Sequence, residues 1–406
     1  MSYRHGVYVS EVPTSIVPPR RVETALPFVV GTAPIEQLEN KKINEPVLCF
    51  TYKEFVDNFG WSDDFEKYTL CEFAKAYFAL YTAAPVVFVN VYDPSVFKDS
   101  NSNPDPTAVR GTDIIGGIDP TSGKKTGLEL VSDVFSRFRM IVGSIVAPKF
   151  SADPAVASVM GAKASLINSH FKAMAIVDVP ESVDKYSDVP AYKDDNGLTD
   201  EHMVVCWPKL KVGNEKYWMS SHVAGLLSSL DAEENVPYRS PSNHRFEATG
   251  AFVGANEVWL GPEEAGYLNG NGIVTALNFV GGWRCWGNRT AAYPANTDVK
   301  DTFIPIRRMF NYIGNTLVLT AWQKLDYPIT KRLIETVVDS FNIWLNGLAA
   351  REFILGGRVA FLKEENPTTD IMDGVIKFHV YITPPSPARE IDFIVEYDPA
   401  YIKTLF

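Results

Sequence analysis

The 406-residue chain is short of features that mark many functional classes. It has four cysteines, Cys49, Cys71, Cys206 and Cys285, and no two stand at the spacing of a zinc or dithiol motif. They read as buried, reduced thiols of a protein made in a cytosol. The six histidines form no i, i+4 pair, so metal binding is not expected. Excess positive charge is lacking too. The formal net charge is −11, which argues against general binding to nucleic acid or an anionic membrane. The longest apolar run, at 83–92, is too short to cross a bilayer and holds Pro85, so it reads as a buried strand. The N-terminus shows no charged segment followed by an apolar core, so no signal peptide is expected. No internal repeat is evident.

What remains is a globular composition, 46% hydrophobic and 21% charged, in a chain long enough for several domains. Strand and helix patterns alternate through 26–92. Residues 26–33, 46–50 and 86–92 read as strands. Residues 51–60 read as a helix capped by Thr51 with Glu54 three positions on and closed by Gly60. A second helix is expected over 70–81. After the polar, proline-punctuated stretch 93–112, the rhythm resumes. Helices are expected at 128–138 and from Pro154, capped by Asp153, to about residue 168. Strands are expected at 140–148, 172–179 and 203–208. This βαβ order predicts a parallel sheet with helices on both faces. Helices at 306–319 and 329–345 and strands at 358–362 and 375–384 follow.

Both ends are unusual. Val7, Tyr8 and Val9 lie in an apparent strand that runs into a tether with Pro13, Pro18 and Pro19. Ile391, Phe393 and Val395 lie in a run of period two behind Pro384-Pro385-Ser386-Pro387. Each is a strand without a hairpin partner nearby, set off by prolines that keep the chain extended.

Three motifs invite chemical readings. Gly117 to Thr126 looks like a phosphate-binding loop, but five residues separate its glycines, Lys125 takes the hydroxyl position and Pro120 removes an N–H, so a surface turn is expected. Ser220-Ser221-His222-Val223-Ala224-Gly225 resembles the histidine helix of subtilisin-type proteases, and Asp178 ends an upstream strand. No serine in a glycine-flanked turn supplies the nucleophile a triad needs. Lys324, Lys331 and Arg332, with Arg307 and Arg308 before them, concentrate positive charge in an acidic chain. They are either a solvated face or a docking surface for an acidic partner.

Several segments together resemble a known family. The opening His5-Gly6-Val7-Tyr8-Val9-Ser10-Glu11-Val12-Pro13, the helix and loop from Ser221 through Pro241-Ser242-Asn243, and Gly282-Trp283-Arg284-Cys285-Trp286-Gly287-Asn288-Arg289-Thr290 are similar, in order, to tail sheath proteins of contractile phages and injection particles. So is the double-arginine helix around Arg307-Arg308. Cys285 and Pro305 depart from the expected residue types. The resemblance implies a multidomain α/β protein with a subtilisin-like middle domain lacking protease function, an α+β C-terminal domain and two strand arms. The domains expected are 1–25, 26–92, 93–280, 281–384 and 385–406. It implies a structural protomer, without enzymatic activity or cofactor, that stacks as hexameric rings in a helical sheath and contracts to drive an inner tube through a cell envelope. Its partners would be itself, the inner tail tube protein, and baseplate and terminator proteins, with no direct nucleic-acid contact and no membrane insertion. It would act in the tail sheath of a virion or particle assembled in a bacterial cytoplasm. The arms, with Val7, Tyr8, Val9, Ile391, Phe393 and Val395, would add strands to neighbouring subunits. Lys324, Lys331 and Arg332 would face the tube. The alternative is a subtilisin-like hydrolase that would depend on His222.

Overall fold

The computed structural model describes residues 24–405. The readings of Val7, Tyr8 and Val9 lie outside them.

The strands are β1 Pro27–Gly31, β2 Val47–Cys49, β3 Val86–Asn90, β4 Ser144–Val146, β5 Met174–Asp178, β6 Met203–Cys206, β7 Lys209–Val212, β8 Glu215–Tyr217, β9 Gly250–Val253, β10 Asn256–Glu257, β11 Ile273–Asn278, β12 Trp283–Trp286, β13 Gly356–Ala360 and β14 His379–Thr383. The helices are α1 Tyr52–Phe59, α2 Thr69–Ala74, α3 Gly111–Ile115, α4 Val131–Phe138, α5 Pro154–Ser165, α6 Val189–Asp195, α7 Met219–Glu234, α8 Pro262–Asn269, α9 Val299–Thr302, α10 Ile304–Ala321, α11 Lys331–Ala350 and α12 Thr368–Met372.

The central layer is an eight-stranded sheet in the order β12-β11-β6-β5-β4-β1-β3-β2. Its six inner strands are parallel, and each edge strand is antiparallel to its neighbour. β1, β3 and β5 are buried along their whole length, which explains why they read as unbroken apolar runs rather than alternating patterns. The stretches 26–92 and 93–280 both contribute to this one sheet, and β12 extends it past residue 280. A four-stranded antiparallel sheet, β10-β9-β7-β8, sits apart from it, and β13 pairs with β14 alone.

Local chemistry accounts for the helix ends. Thr51 Oγ1 accepts from Glu54 N at 3.2 Å, and Glu54 Oε2 accepts from Phe50 N at 2.8 Å. Gly60 closes α1 at φ +76°, a conformation that suits glycine. Phe55 and Phe59 then face Phe88 of β3, with ring centroids 4.7 and 6.0 Å away. Asp153 caps α5 by accepting from Ala155 N at 2.9 Å, with Pro154 in the first helical position. The expected second helix widens after α2 into a π-turn over Lys75–Leu80, and the expected strand at 140–148 is reduced to β4. Among the described residues no helix is long and apolar enough to cross a membrane.

Candidate assembly site

The C-terminal unit is built on α11. Asn342 of this helix holds the backbone of Val359, accepting its N–H at 2.7 Å and donating to its carbonyl at 3.1 Å. That clamps β13, which pairs with β14 from Gly356↔Thr383 to Ala360↔His379. Neither outer edge of this two-stranded sheet is paired with another strand among the described residues. Beyond Thr383 the chain passes Pro384, Pro385 and Pro387 and leaves the body. The strand expected near 388–398 is not formed: this segment pairs with no strand among the described residues. Ile391, Phe393 and Val395 are instead 69, 87 and 92% exposed.

The basic residues separate into two groups. Lys324, in the turn after α10, stands 5.2 Å from the Tyr327 ring. Thr330 caps α11 by accepting from Leu333 N, which places Lys331 and Arg332 in the first helical turn. Lys331 projects into solvent and meets the exposed Glu335 at 3.5 Å. Lys324 and Arg332 border a shallow hollow of about 280 Å³ with Tyr327, Pro328, Leu333 and Thr336. Arg307 and Arg308, grouped with them on sequence, do not belong to this surface. Both are buried, Arg307 on Asp301 at 3.0 Å and Arg308 through both terminal nitrogens on Asp231.

Asp178 ends β5 at the carboxyl edge of the parallel strands, where α/β sheets commonly build sites. Its carboxylate accepts from Ser220 N at 2.9 Å, from Ser220 Oγ at 2.5 Å and from Ser151 Oγ at 3.1 Å. Burial pushes it up to about 6 although those hydrogen bonds oppose the shift. Glu72, on α2, reaches the same helix end. It accepts from Trp218 N at 2.7 Å and Ser221 Oγ at 3.1 Å, and burial raises it well above the usual carboxylate range. Two carboxylates thus take up the Trp218 and Ser220 N–H groups at the start of α7. Lys209 stands over the Trp218 ring at 4.1 Å and is paired with Glu66 and Glu181, each at 3.1 Å.

His222 is turned away from this cluster. Its Nδ1 meets Tyr81 Oη at 3.0 Å, and the ring is enclosed by Tyr81, Tyr217 and Phe246. Burial lowers its pKa to about 3. Aspartate and histidine therefore share no hydrogen bond, and the serine hydroxyls beside Asp178 and Glu72 are donors to carboxylates rather than to a base. The hydrolase reading has no support in this geometry. Glu72 and Lys209 were missed on sequence because no local pattern announces that Glu72 meets Trp218, or Lys209 meets Glu66, across more than a hundred positions of chain.

The other motifs are structural. Asp119 Oδ1 accepts from Thr121 N and Ser122 N, so the N–H groups of the loop at 117–126 already hold a carboxylate of their own. Arg289 lies between the rings of Tyr293 and Phe303, at 4.4 and 3.7 Å, and donates to Thr302 Oγ1. Trp286, Gly287, Asn288 and Arg289 also wall a groove of about 720 Å³ with Pro387 to Glu390 at the root of the arm.

No family model matches the chain. It is similar over its whole length to the tail sheath protein of Burkholderia phage BcepMu, at 23% identity with 98% of that protein covered. It is 27% identical over 98% of its length to a protein of Pseudomonas aeruginosa described as a prophage major tail sheath protein, of which 97% is covered. Among solved structures, its fold matches the sheath of an extracellular contractile injection system in the contracted state. The TM-score is 0.69 at 17% identity, covering 98% of this chain and 99% of that one. It also matches a chain in the baseplate of the anti-feeding prophage, with TM-score 0.67 at 17% identity over 98% and 100% of the two chains. The resemblance to tail sheath proteins read from the sequence is borne out.

Proposed function

We propose that this chain is the protomer of a contractile tail sheath, polymerising around an inner tube and contracting to drive that tube through a cell envelope. The supporting observation is the full-length relation to tail sheath proteins in a chain whose C-terminal arm is exposed and joins no strand among the described residues. Among the described residues the two-stranded β13–β14 sheet has two open edges, and the arm beginning at residue 385 has the alternation of a strand. An arm from a neighbouring copy can complete such an edge by main-chain hydrogen bonds, each contributing about 1 kcal/mol net. Val7, Tyr8 and Val9 would act similarly at the N-terminal arm, and Ile391, Phe393 and Val395 at the C-terminal one. In this reading residues 1–25 and 385–406 are linkers between copies in stacked hexameric rings. The eight-stranded sheet corresponds to a subtilisin-like domain without its catalytic set. Lys324, Lys331 and Arg332 face the tube, the baseplate and terminator proteins bound the polymer, and no cofactor or enzymatic activity is required.

Deleting residues 388–406 tests this. The truncated chain is expected to keep the melting temperature of the intact protomer, because Ile391, Phe393 and Val395 bury little surface within it. It is expected to form no tubes in negative-stain electron microscopy. Tubes of ordinary length from the truncated chain would overturn the strand-exchange reading.

A further inference from the structure

The turn that joins α6 to β6 carries three consecutive residues with metal-binding side chains, Asp200, Glu201 and His202. Its backbone is fixed on both sides. Asp200 Oδ1 accepts from His202 N at 2.6 Å, and the His202 carbonyl accepts from Ala175 N at 2.7 Å as β6 joins β5. The His202 imidazole is 2% exposed, and among the described residues neither ring nitrogen has an aligned hydrogen-bond partner. A buried polar group in that condition is expensive unless something else binds it.

Both carboxylates are turned to the same nitrogen. His202 Nδ1 lies 3.4 Å from Asp200 Oδ1 and 3.7 Å from Glu201 Oε1. Two donors bound at about 2.1 Å to one tetrahedral ion stand roughly 3.4 Å apart, so these separations need only small adjustment. The carboxylates are 33 and 41% exposed, which leaves a path for an ion and room for water ligands.

We propose that Asp200 and Glu201 oxygens and His202 Nδ1 bind one divalent transition-metal cation of the zinc type, with water completing its coordination. One imidazole with two carboxylates suits zinc, cobalt or nickel better than magnesium, which prefers an all-oxygen octahedron. Two carboxylate charges balance the dication. The nearby cation is Arg307, which acts on both carboxylates and is itself held by Asp301 at 3.0 Å. Among the described residues His202 Nε2 has no partner to fix the ring from behind, which weakens a site of this kind by about 10–100-fold relative to a fully supported one. Three adjacent ligands escape a search for helical i, i+4 histidine pairs.

The test is calorimetric titration of the full-length, chelator-stripped protomer with zinc chloride, repeated with cobalt and followed by visible absorption. One equivalent is expected to bind, with millimolar magnesium failing to compete. Glu201→Gln, on a half-exposed side chain, and His202→Asn should each weaken binding at least 10-fold. His379→Ala, which removes a histidine–carboxylate contact elsewhere in the chain, with Glu365 at 2.7 Å, should leave it unchanged. If His202→Asn does not fold, Glu201→Gln decides. Binding of well under one equivalent, binding unchanged in Glu201→Gln, or binding lost with His379→Ala would each overturn the proposal.

Discussion

Burial pulls Asp178 and His222 in opposite directions, and their effects on stability oppose each other. The Asp178 carboxyl rises from 3.8 to about 6, so the folded chain keeps a proton there that the unfolded chain releases, and stability falls as pH rises through that window. His222 falls from 6.5 to about 3, so the unfolded chain takes up a proton that the folded chain refuses, and stability falls as pH drops through its window. Between pH 4 and 6 the two slopes cancel. In Asp178→Asn the aspartate slope is removed, and on acidification from pH 6 to 4 stability should drop by about 1.4 kcal/mol per pH unit more than in the parent. Urea unfolding at pH 6, 5 and 4 measures this, and a variant slope equal to the parent's would refute the assignment. Arg308 and Asp231 present a second test at this scale. Arg308→Ala leaves a buried carboxylate, held otherwise by Thr24 Oγ1 at 2.6 Å, and should lose about 3–5 kcal/mol in urea unfolding. Replacing both partners by apolar residues, Arg308→Met with Asp231→Leu, should recover most of that. The sequence displays Asp178, His222, Arg307 and Arg308 openly, but not their partners. Ser220 lies two positions before His222 and takes the aspartate instead, and no local pattern distinguishes a buried arginine from a solvated one.

At the scale of elements, the central strands and the capped helices were legible because their causes are local. β1, β3 and β5 are continuous apolar runs, and Thr51, Gly60 and Asp153 mark helix ends by their own hydrogen bonds or φ. The antiparallel sheet of β7 to β10 was not legible. β7 reads Lys-Leu-Lys-Val, and Lys209 is buried only because Glu66, Glu181 and the Trp218 ring receive it from other parts of the chain. The π-turn at Lys75–Leu80 was hidden for a similar reason, since its packing partner α7 is distant in sequence. That contact depends on Gly225. A Cβ there would come within 2.4 Å of the Tyr81 ring, which is held by His222 Nδ1 at 3.0 Å and by Glu247 N at 3.2 Å. Gly225→Ala should therefore lose about 1–3 kcal/mol by urea unfolding, and Tyr81→Ala in the same chain should relieve part of the loss. An unchanged midpoint would mean that the ring yields.

For the whole molecule, the sequence order of motifs pointed to the right relatives while the division of the chain did not follow the sheet. Parallel strands pair across crossovers, so β1 and β3, read as a separate segment, join β4 to β6 and β11 in one layer. The proposed tube contact is a property of the polymer rather than the protomer. An exposed charge pair contributes about 0.2–1 kcal/mol and is screened by salt, so Lys324, Lys331 and Arg332 on one copy hold little, whereas a sheath repeats them in every subunit. The proposed contraction needs such a balance, since each contact is weak enough to be released in sequence. Lys331→Glu with Arg332→Glu should leave protomer stability within about 0.5 kcal/mol, because Lys331 is 89% exposed and its nearest carboxylate, Glu335, is also exposed. It should sharply lower the yield of extended sheath around purified tubes, and the parent should approach the variant as salt is raised from 0.05 to about 0.5 M. Electron microscopy of co-assembled particles counts the outcome. Equal occupancy of tubes by parent and variant at low salt would remove these residues from the tube-facing surface and return them to a solvated helix end.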